Sequence, residues 1–145
     1  MNSTYKLTPT RKIINLIMRV MIRYDLGPSG RHILKFKGRK SGRDYSTPVT
    51  LVQDNGQKWL VAPYGEVPWV KNVRAAGTVE FFRGGKTEKY SIQELAASES
   101  APVLKKYVAL EPITWSFFTA RPESPVEDFV NEASLHPVFA LKSLN

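Results

Sequence analysis

The sequence has no cysteine and only two histidines among its 145 residues. The absence of thiols excludes disulfide bonds, thiolate metal sites and cysteine nucleophiles. His32 and His136 are far apart in the sequence, which argues against a histidine-based metal site. No stretch reaches the roughly 18 consecutive apolar residues that a membrane-spanning helix needs, and no secretory signal is visible. We therefore expect a cytoplasmic protein without a metal centre.

Acidic residues are also scarce, with 13 Asp and Glu against 21 Lys and Arg, which gives a net charge of +8. Such an excess favours a polyanionic partner: nucleic acid, an anionic membrane surface or a multiply charged small molecule. The basic residues are dispersed and are not interleaved with aromatic residues on a strand, so we expect no nucleic-acid partner. The length and the hydrophobic content of 42% are those of one globular domain.

Residues 8–24 are predicted to form an amphipathic helix, with Thr8 as the N-cap and Pro9 at the first helical position. Its apolar positions are Ile13, Ile14, Ile17, Met18, Met21 and Ile22. A basic and polar stripe recurs at every fourth residue: Arg11, Asn15, Arg19 and Arg23. Such a helix either packs on a core with a solvated basic face or docks on a membrane surface. We assign residues 1–27 to this helix and 28–145 to a single folded domain.

Short strand-like runs separated by turn residues follow the helix. The predicted strands are 31–37, 45–53, 58–62, 78–83, 86–92 and 137–142. Helices are predicted over 69–76, 93–110 and 126–132, and residues 111–125 are expected to be irregular. About six short, mostly antiparallel strands with few helices indicate an α+β protein built on a small barrel or curled sheet.

The turn between the first two predicted strands, residues 38–43, concentrates glycine and basic residues; we call it the basic tip (Gly38-Arg39-Lys40-Ser41-Gly42-Arg43). Its glycines allow positive φ angles and let backbone N–H groups form a concavity. The basic side chains and Ser41 are donors suited to phosphate or carboxylate oxygens. The tip is either the anion site for a phosphorylated cofactor or an ordinary solvated loop. It is not a P-loop, because no helix follows it.

Two groups of aromatic residues are candidates for a ligand site. Trp69 and Asn72 are three residues apart on a predicted helix and so share a face, where an indole and an amide suit a flat heteroaromatic ring. The alternative is a core tryptophan beside a capping amide. Later in the chain, Tyr107, Trp115 and Phe117 either close the core or line a substrate pocket.

The order of residues 37–43, then Thr47-Pro48-Val49, then Trp69-x-x-Asn72, resembles the deazaflavin-dependent nitroreductase family. The resemblance extends from about residue 9 to residue 142. It implies a split β-barrel that uses the reduced 8-hydroxy-5-deazaflavin coenzyme F-420, with FMN as the less favoured cofactor.

The resemblance also implies roles for individual residues. The phosphate and glutamyl tail of the coenzyme would be held by the tip residues Arg39, Lys40, Ser41, Gly42 and Arg43. The deazaflavin ring would lie on Thr47, Pro48 and Val49 and be flanked by Ala62, Trp69 and Asn72. Apart from the resemblance, Tyr64, Tyr107, Trp115 and Phe117 are our candidates for the substrate pocket. The proton would come from Tyr64, the named candidate, from Tyr107 or from water.

The reaction implied is hydride transfer from the reduced coenzyme to an electron-poor small molecule: an activated C=C bond, a quinone or a nitroarene. Pro63 stands where the family often has a serine, and it offers neither a hydroxyl nor an N–H group. An alternative is therefore a non-catalytic binder of a flavin-like or fatty-acyl ligand on the same scaffold. The expected partner is a small-molecule substrate, and we expect a monomer or a homodimer. A further interpretation is a peripheral membrane contact through the N-terminal helix.

Overall fold

The computed structural model describes residues 8–24, 26–27 and 29–144. These residues form four α-helices: α1 (Pro9–Arg23), α2 (Pro68–Ala76), α3 (Ala97–Leu110) and α4 (Val126–Glu132). They also form six β-strands: β1 (Arg31–Lys37), β2 (Asp44–Asp54), β3 (Gln57–Val61), β4 (Thr78–Arg83), β5 (Lys86–Glu94) and β6 (Val138–Ser143).

The six strands close into a barrel in the order β1-β2-β3-β6-β5-β4, and every pair is antiparallel. Closure leaves no continuous free sheet edge, which protects a small β-protein from edge-to-edge association. The predicted α+β barrel of about six antiparallel strands is therefore confirmed.

Two apolar clusters support the fold. One fills the barrel and includes Leu34, Leu60 and Phe139, while the other lies between the barrel, α3 and α4 and includes Leu104 and Phe129. All five side chains are fully buried. Burial of such a side chain contributes about 1.5–3 kcal/mol, so the clusters make the scaffold a rigid support for a site at its surface.

The helix predicted over 93–110 begins only at Ala97, because β5 runs on through Glu94. Gln93 and Glu94 are opposite Ala140 and Phe139 of β6, so ladder pairing overrides the helical propensity of this segment. In the segment expected to be irregular, residues Pro112–Phe117 form a short 3₁₀ helix.

Helix α1 lies against β1, β2 and β4. It begins as expected, since the Thr8 side chain accepts a hydrogen bond from the Arg11 backbone N–H at 3.2 Å. Arg19 fixes it to β2 by donating to the hydroxyl of Ser46 at 2.8 Å and to its carbonyl at 2.7 Å. The division of the chain after residue 27 stays a prediction. No helix in the described ranges is long and apolar enough to cross a membrane.

Candidate active site

A cavity of about 300 Å³ opens between α1, the first half of β2, the start of α2 and the segment that follows α3. Its apolar lining includes Ile14, Met18, Phe36, Pro48, Val49, Trp69 and Phe117. Its polar lining includes Arg11, Arg31, Thr47, Thr50, Tyr64, Tyr107 and Glu111. A mostly apolar cleft of this size with a few polar groups is typical of a small-molecule site.

The cavity exists because β2 has two different halves. Residues Leu51–Asp54 pair with β3, whereas residues 44–50 pair with β1 alone. The Thr47-Pro48-Val49 segment therefore offers a side without a neighbouring strand, and this side lines the cavity. Pro48 fits there because a residue without an N–H group is tolerated at an unpaired strand edge.

An aromatic wall stands across the cavity from α1. Trp69 is the second residue of α2, next to Pro68 at the helix start. The ring of Tyr64 meets the ring of Phe117 edge to face, with the centroids 4.7 Å apart. The structure thus brings Trp69, Tyr64 and Phe117 together with Tyr107 around one cavity, which leaves a slot suited to a flat ring.

The basic tip is a tight, solvent-exposed turn. The Gly38 and Gly42 N–H groups donate to the carbonyls of Arg43 and Gly38, both at 2.9 Å, and Gly42 has φ +69°. A Cβ atom at Gly38 would lie 2.7 Å from the Ser41 hydroxyl and 2.9 Å from the Tyr45 ring, so a larger residue there would displace these side chains. The Ser41 hydroxyl accepts from the Arg43 N–H at 3.2 Å, and the side chains of Arg39, Lys40 and Arg43 stay exposed.

Asn72 joins the basic tip to helix α2. Its side-chain oxygen accepts two hydrogen bonds from Arg39, one from the backbone N–H and one from Nη1, each at 2.9 Å. Asn72 is buried and lies about one helical turn beyond Trp69. The amide therefore does not line the cavity; it holds the tip in place beside the helix whose other end forms the cavity wall.

Besides Asn72, two residues that were predicted to flank the ring or to line the pocket, Ala62 and Trp115, also lie away from the cavity. Ala62 is fully buried among the barrel residues, and its N–H donates to the Pro137 carbonyl at 2.8 Å. Trp115 donates from its indole nitrogen to the Val108 carbonyl at 2.7 Å, and the Arg121 guanidinium lies over its ring. These contacts turn Trp115 toward the α3–α4 core.

Among the polar lining residues that sequence reasoning missed, Arg31, Thr50 and Glu111 form a connected group. The Glu111 carboxylate accepts from the Thr50 hydroxyl at 2.7 Å and pairs with Arg31 Nε at 3.4 Å. Arg31 and Thr50 are cross-strand partners, which the predicted hairpin register could have shown. No local motif marks Glu111, because the hydrogen-bond partners of its carboxylate, Arg31 and Thr50, are distant in the sequence.

The sequence-based interpretation of helix α1 was also incomplete. Arg11 and Asn15 of α1 line the cavity, so the predicted stripe is not simply a solvated face. The guanidinium of Arg11 lies 5.5 Å from the centre of the Phe117 ring. Ile13 and Ile17, which were placed on the apolar face, are instead exposed.

Tyr107, like Glu111, is a buried titratable group of the cavity wall. Burial raises its pKa well above the usual value for tyrosine, and the nearby Glu111 carboxylate adds to the effect. The phenol therefore stays protonated through the whole neutral range and can act only as a neutral hydrogen-bond donor or acceptor.

The Pro63 loop, which borders the cavity, is anchored by a buried polar network. The Pro63 carbonyl lies 2.8 Å from Nδ1 of His136, whose Nε2 lies 2.9 Å from the Glu132 carboxylate. Glu132 also accepts from the backbone N–H groups of Thr119 and Ala120, at 3.0 and 2.7 Å. Pro63 is thus held through its carbonyl, the one polar group that proline retains.

Comparison with known proteins gives a consistent result. A family model described as F420H(2)-dependent quinone reductase matches residues 19–126. No curated protein matches the chain significantly.

Three solved structures share the fold. One is an F420-H2 dependent reductase (FDR-A), 25% identical, with a TM-score of 0.55, over 78% of this chain and 94% of that one. A structure described as a domain-swapped dimer is 23% identical, with a TM-score of 0.58, over 93% and 100% of the two chains. The protein Atu2129 from Agrobacterium tumefaciens is 17% identical, with a TM-score of 0.59, over 99% and 60%.

The family match spans most of the chain, and the barrel and cavity agree with it. The chain belongs to the F420H(2)-dependent quinone reductase family and is a reductase that uses coenzyme F-420.

Proposed function

We propose that this reductase binds coenzyme F-420 across the basic tip and the cavity and reduces a quinone in the same cavity. The observation that carries the proposal is the Arg39–Asn72 link, because it places a cationic turn beside the helix that presents Trp69 to the cavity. The tip therefore offers donors for a polyanionic tail next to the helix that borders an apolar slot for a flat ring.

The residues present suit the coenzyme. Its anionic tail requires exposed cations and donors, which Arg39, Lys40 and Arg43 supply. Its ring requires a flat apolar slot, which Val49 and Trp69 supply. When bound, the reduced coenzyme supplies a hydride, that is, a hydrogen with two electrons; with one further proton a quinone becomes a hydroquinone.

The protein's own contribution is orientation, exclusion of water and proton supply. Helix α1 covers the cavity from one side, and the aromatic wall covers it from the other. We assign the proton to the hydroxyl of Tyr64, while the buried phenol of Tyr107 stays protonated and can donate a hydrogen bond to the acceptor. Nitroarenes and activated C=C bonds need the same two groups, so they are secondary acceptor classes.

The test is a titration of the purified protein with oxidised F-420, followed by its fluorescence, beside a titration with FMN. We expect saturable F-420 binding in the micromolar range, about −8 kcal/mol, and weaker FMN binding. Anaerobic mixing with reduced F-420 and menadione should then oxidise the coenzyme. Lack of binding to either redox form would contradict the assigned site, and binding without turnover would favour the non-catalytic binder.

Tyr64→Phe is expected to lower kcat with menadione by roughly a hundredfold, because the positioned proton donor is lost. The affinity for F-420 should stay within twofold of that of the wild type, since the ring of residue 64 still packs on Phe117. Tyr24→Phe, an exposed hydroxyl deletion outside the cavity, is the control. The measurement is the steady-state kcat of the wild type and the two variants. An unchanged kcat in Tyr64→Phe would contradict the role of Tyr64 as proton donor.

We further propose that α1 contacts an anionic membrane surface. Its outer face exposes an apolar stripe of Ile13, Leu16, Ile17 and Val20, each at least half exposed. The helix contains four basic and no acidic residues, and Lys12 and Arg23 are exposed. An apolar stripe beside cations suits the interface of an anionic bilayer, where a membrane-dissolved acceptor would also be found.

The protein should sediment together with phosphatidylglycerol vesicles. A smaller fraction should sediment with phosphatidylcholine vesicles or at high salt. Leu16→Ser/Val20→Ser should release it, because both side chains are on the outer face and neither lines the cavity. Leu135→Ser, an equally exposed leucine near the other end of the chain, should have no effect. No vesicle binding together with a dimer that the double substitution dissociates would assign the stripe to a second copy.

A further inference from the structure

The polar end of the cavity contains a cationic side chain, Arg31, that has no role in the proposed coenzyme site. Arg31 lies at the start of β1, and the basic tip follows the other end of that strand, six residues later. The strand rises about 3.3 Å per residue, so Arg31 and the tip are about 20 Å apart and cannot hold the same phosphate. Arg31 lines the main cavity together with Thr50 and Glu111.

Glu111 fixes the orientation of this arginine. The Glu111 side chain is 5% exposed and that of Arg31 is 24% exposed, so the pair is largely removed from water. The contact uses only Nε of Arg31, and a buried carboxylate without its cation would be costly. The Thr50 hydroxyl, on strand β2, donates to the same carboxylate oxygen at 2.7 Å and so fixes Glu111 a second time.

The other end of the guanidinium is available for a ligand. Within the described part of the chain, neither terminal nitrogen of Arg31 donates a hydrogen bond. Among the described residues no fully buried polar side-chain atom lacks a partner, so these two unpartnered nitrogens are accessible. Arg31 therefore presents up to four N–H donors beside a mostly apolar chamber.

We propose that Arg31, oriented by Glu111, contacts the acceptor oxygen on which negative charge develops during its reduction. The inference rests on the proposed quinone reduction. Hydride addition brings two electrons and one hydrogen to the quinone and leaves a hydroquinone anion until a proton arrives. A guanidinium held in a low-polarity cavity stabilises that anion more than the neutral quinone, so it favours the transition state over the bound substrate.

The test measures binding rather than turnover. The probes are 2-hydroxy-1,4-naphthoquinone, which is ionised at neutral pH, and menadione, which is neutral and of similar size. With saturating oxidised F-420, we expect the wild type to prefer the ionised probe. Arg31→Gln should lower its affinity for that probe by roughly tenfold to a hundredfold, the range for a hydrogen bond to a charged group. Menadione affinity should change less than threefold.

Two further variants keep the result interpretable. Arg31→Gln leaves Glu111 without its cation, so Arg31→Gln/Glu111→Gln removes both charges and should show the same loss of preference if Arg31 is responsible. Arg31→Lys retains the charge and should keep part of the preference. Lys142→Gln, an exposed charge deletion in β6, should match the wild type.

An undiminished preference for the ionised probe in the double variant would overturn the assignment of Arg31. The F-420 titration is done first on each variant, and we expect unchanged affinity because Arg31 is distant from the tip. Failure of every protein to bind F-420 would contradict the proposed coenzyme site itself. Normal F-420 binding with an unaltered preference would contradict only the role of Arg31.

Discussion

Glu132→Ala is expected to destabilise the protein by about 3 kcal/mol or more, the largest effect that we expect from a single substitution outside the cavity. The Glu132 carboxylate is the acceptor for two backbone N–H groups, of Thr119 and Ala120, and it faces the ring of His136. Its removal takes the acceptor away from two buried groups, the Ala120 N–H and a ring nitrogen of His136, and from the partly buried Thr119 N–H. For a chain of this length the change corresponds to a lower Tm by roughly 10 °C.

Chemical denaturation of two variants from the same region gives the control. Asn131→Ala replaces the exposed neighbour on α4 and should stay within about 0.5 kcal/mol of the wild type. Glu132→Gln keeps one acceptor oxygen, so its free energy of unfolding should lie between those of Glu132→Ala and Asn131→Ala. A Glu132→Ala protein within 1 kcal/mol of the wild type would show that the network contributes little.

The network also links stability to the cavity. His136 stacks on Phe118 with centroids 3.8 Å apart, and its other nitrogen holds the Pro63 carbonyl. Tyr64, which follows Pro63, lines the cavity. We infer that the loop needs no serine hydroxyl to be fixed, because the backbone carbonyl of Pro63 is bound from the α4 side. The departure from the family pattern at Pro63 is therefore compatible with an intact pocket.

The strands and the basic tip could be predicted because their signals are local. Alternation, Gly-rich turns and the Asn55-Gly56 hairpin fix β1 to β5 to within a few residues. The Thr8 cap and Pro9 fix the start of α1 in the same way. Each of these signals involves residues that are neighbours in the sequence and can be recognised without the tertiary structure.

The composition of the cavity could be predicted only in part, because it depends on contacts between distant segments. Glu111 meets Thr50 across 61 positions, and the pattern around Glu111 contains nothing that indicates a partner. Trp115 sits in an aromatic segment like Phe117, yet its indole finds the Val108 carbonyl and turns inward. The periodicity of α1 indicates an apolar face but does not say whether protein, solvent or lipid covers it.

Lys40→Ala/Arg43→Ala is expected to weaken F-420 binding by roughly tenfold to a hundredfold, since two charge-assisted contacts to the anionic tail are lost. Both residues are exposed, and within the described part of the chain neither side chain makes a hydrogen bond or ion pair with the barrel, so the Tm should not change. The remaining affinity should depend less on salt than that of the wild type, because fewer cations take part.

The matched control is Lys86→Ala/Lys142→Ala, which removes the same charge from exposed positions on β5 and β6. If the net charge of +8 alone attracted the coenzyme, both double variants would lose affinity equally. A specific tip predicts a loss only in the first. Since Arg39 is held by Asn72 on the helix that carries Trp69, that loss should appear as a faster dissociation rate in stopped-flow measurements, while the ring still enters the cavity.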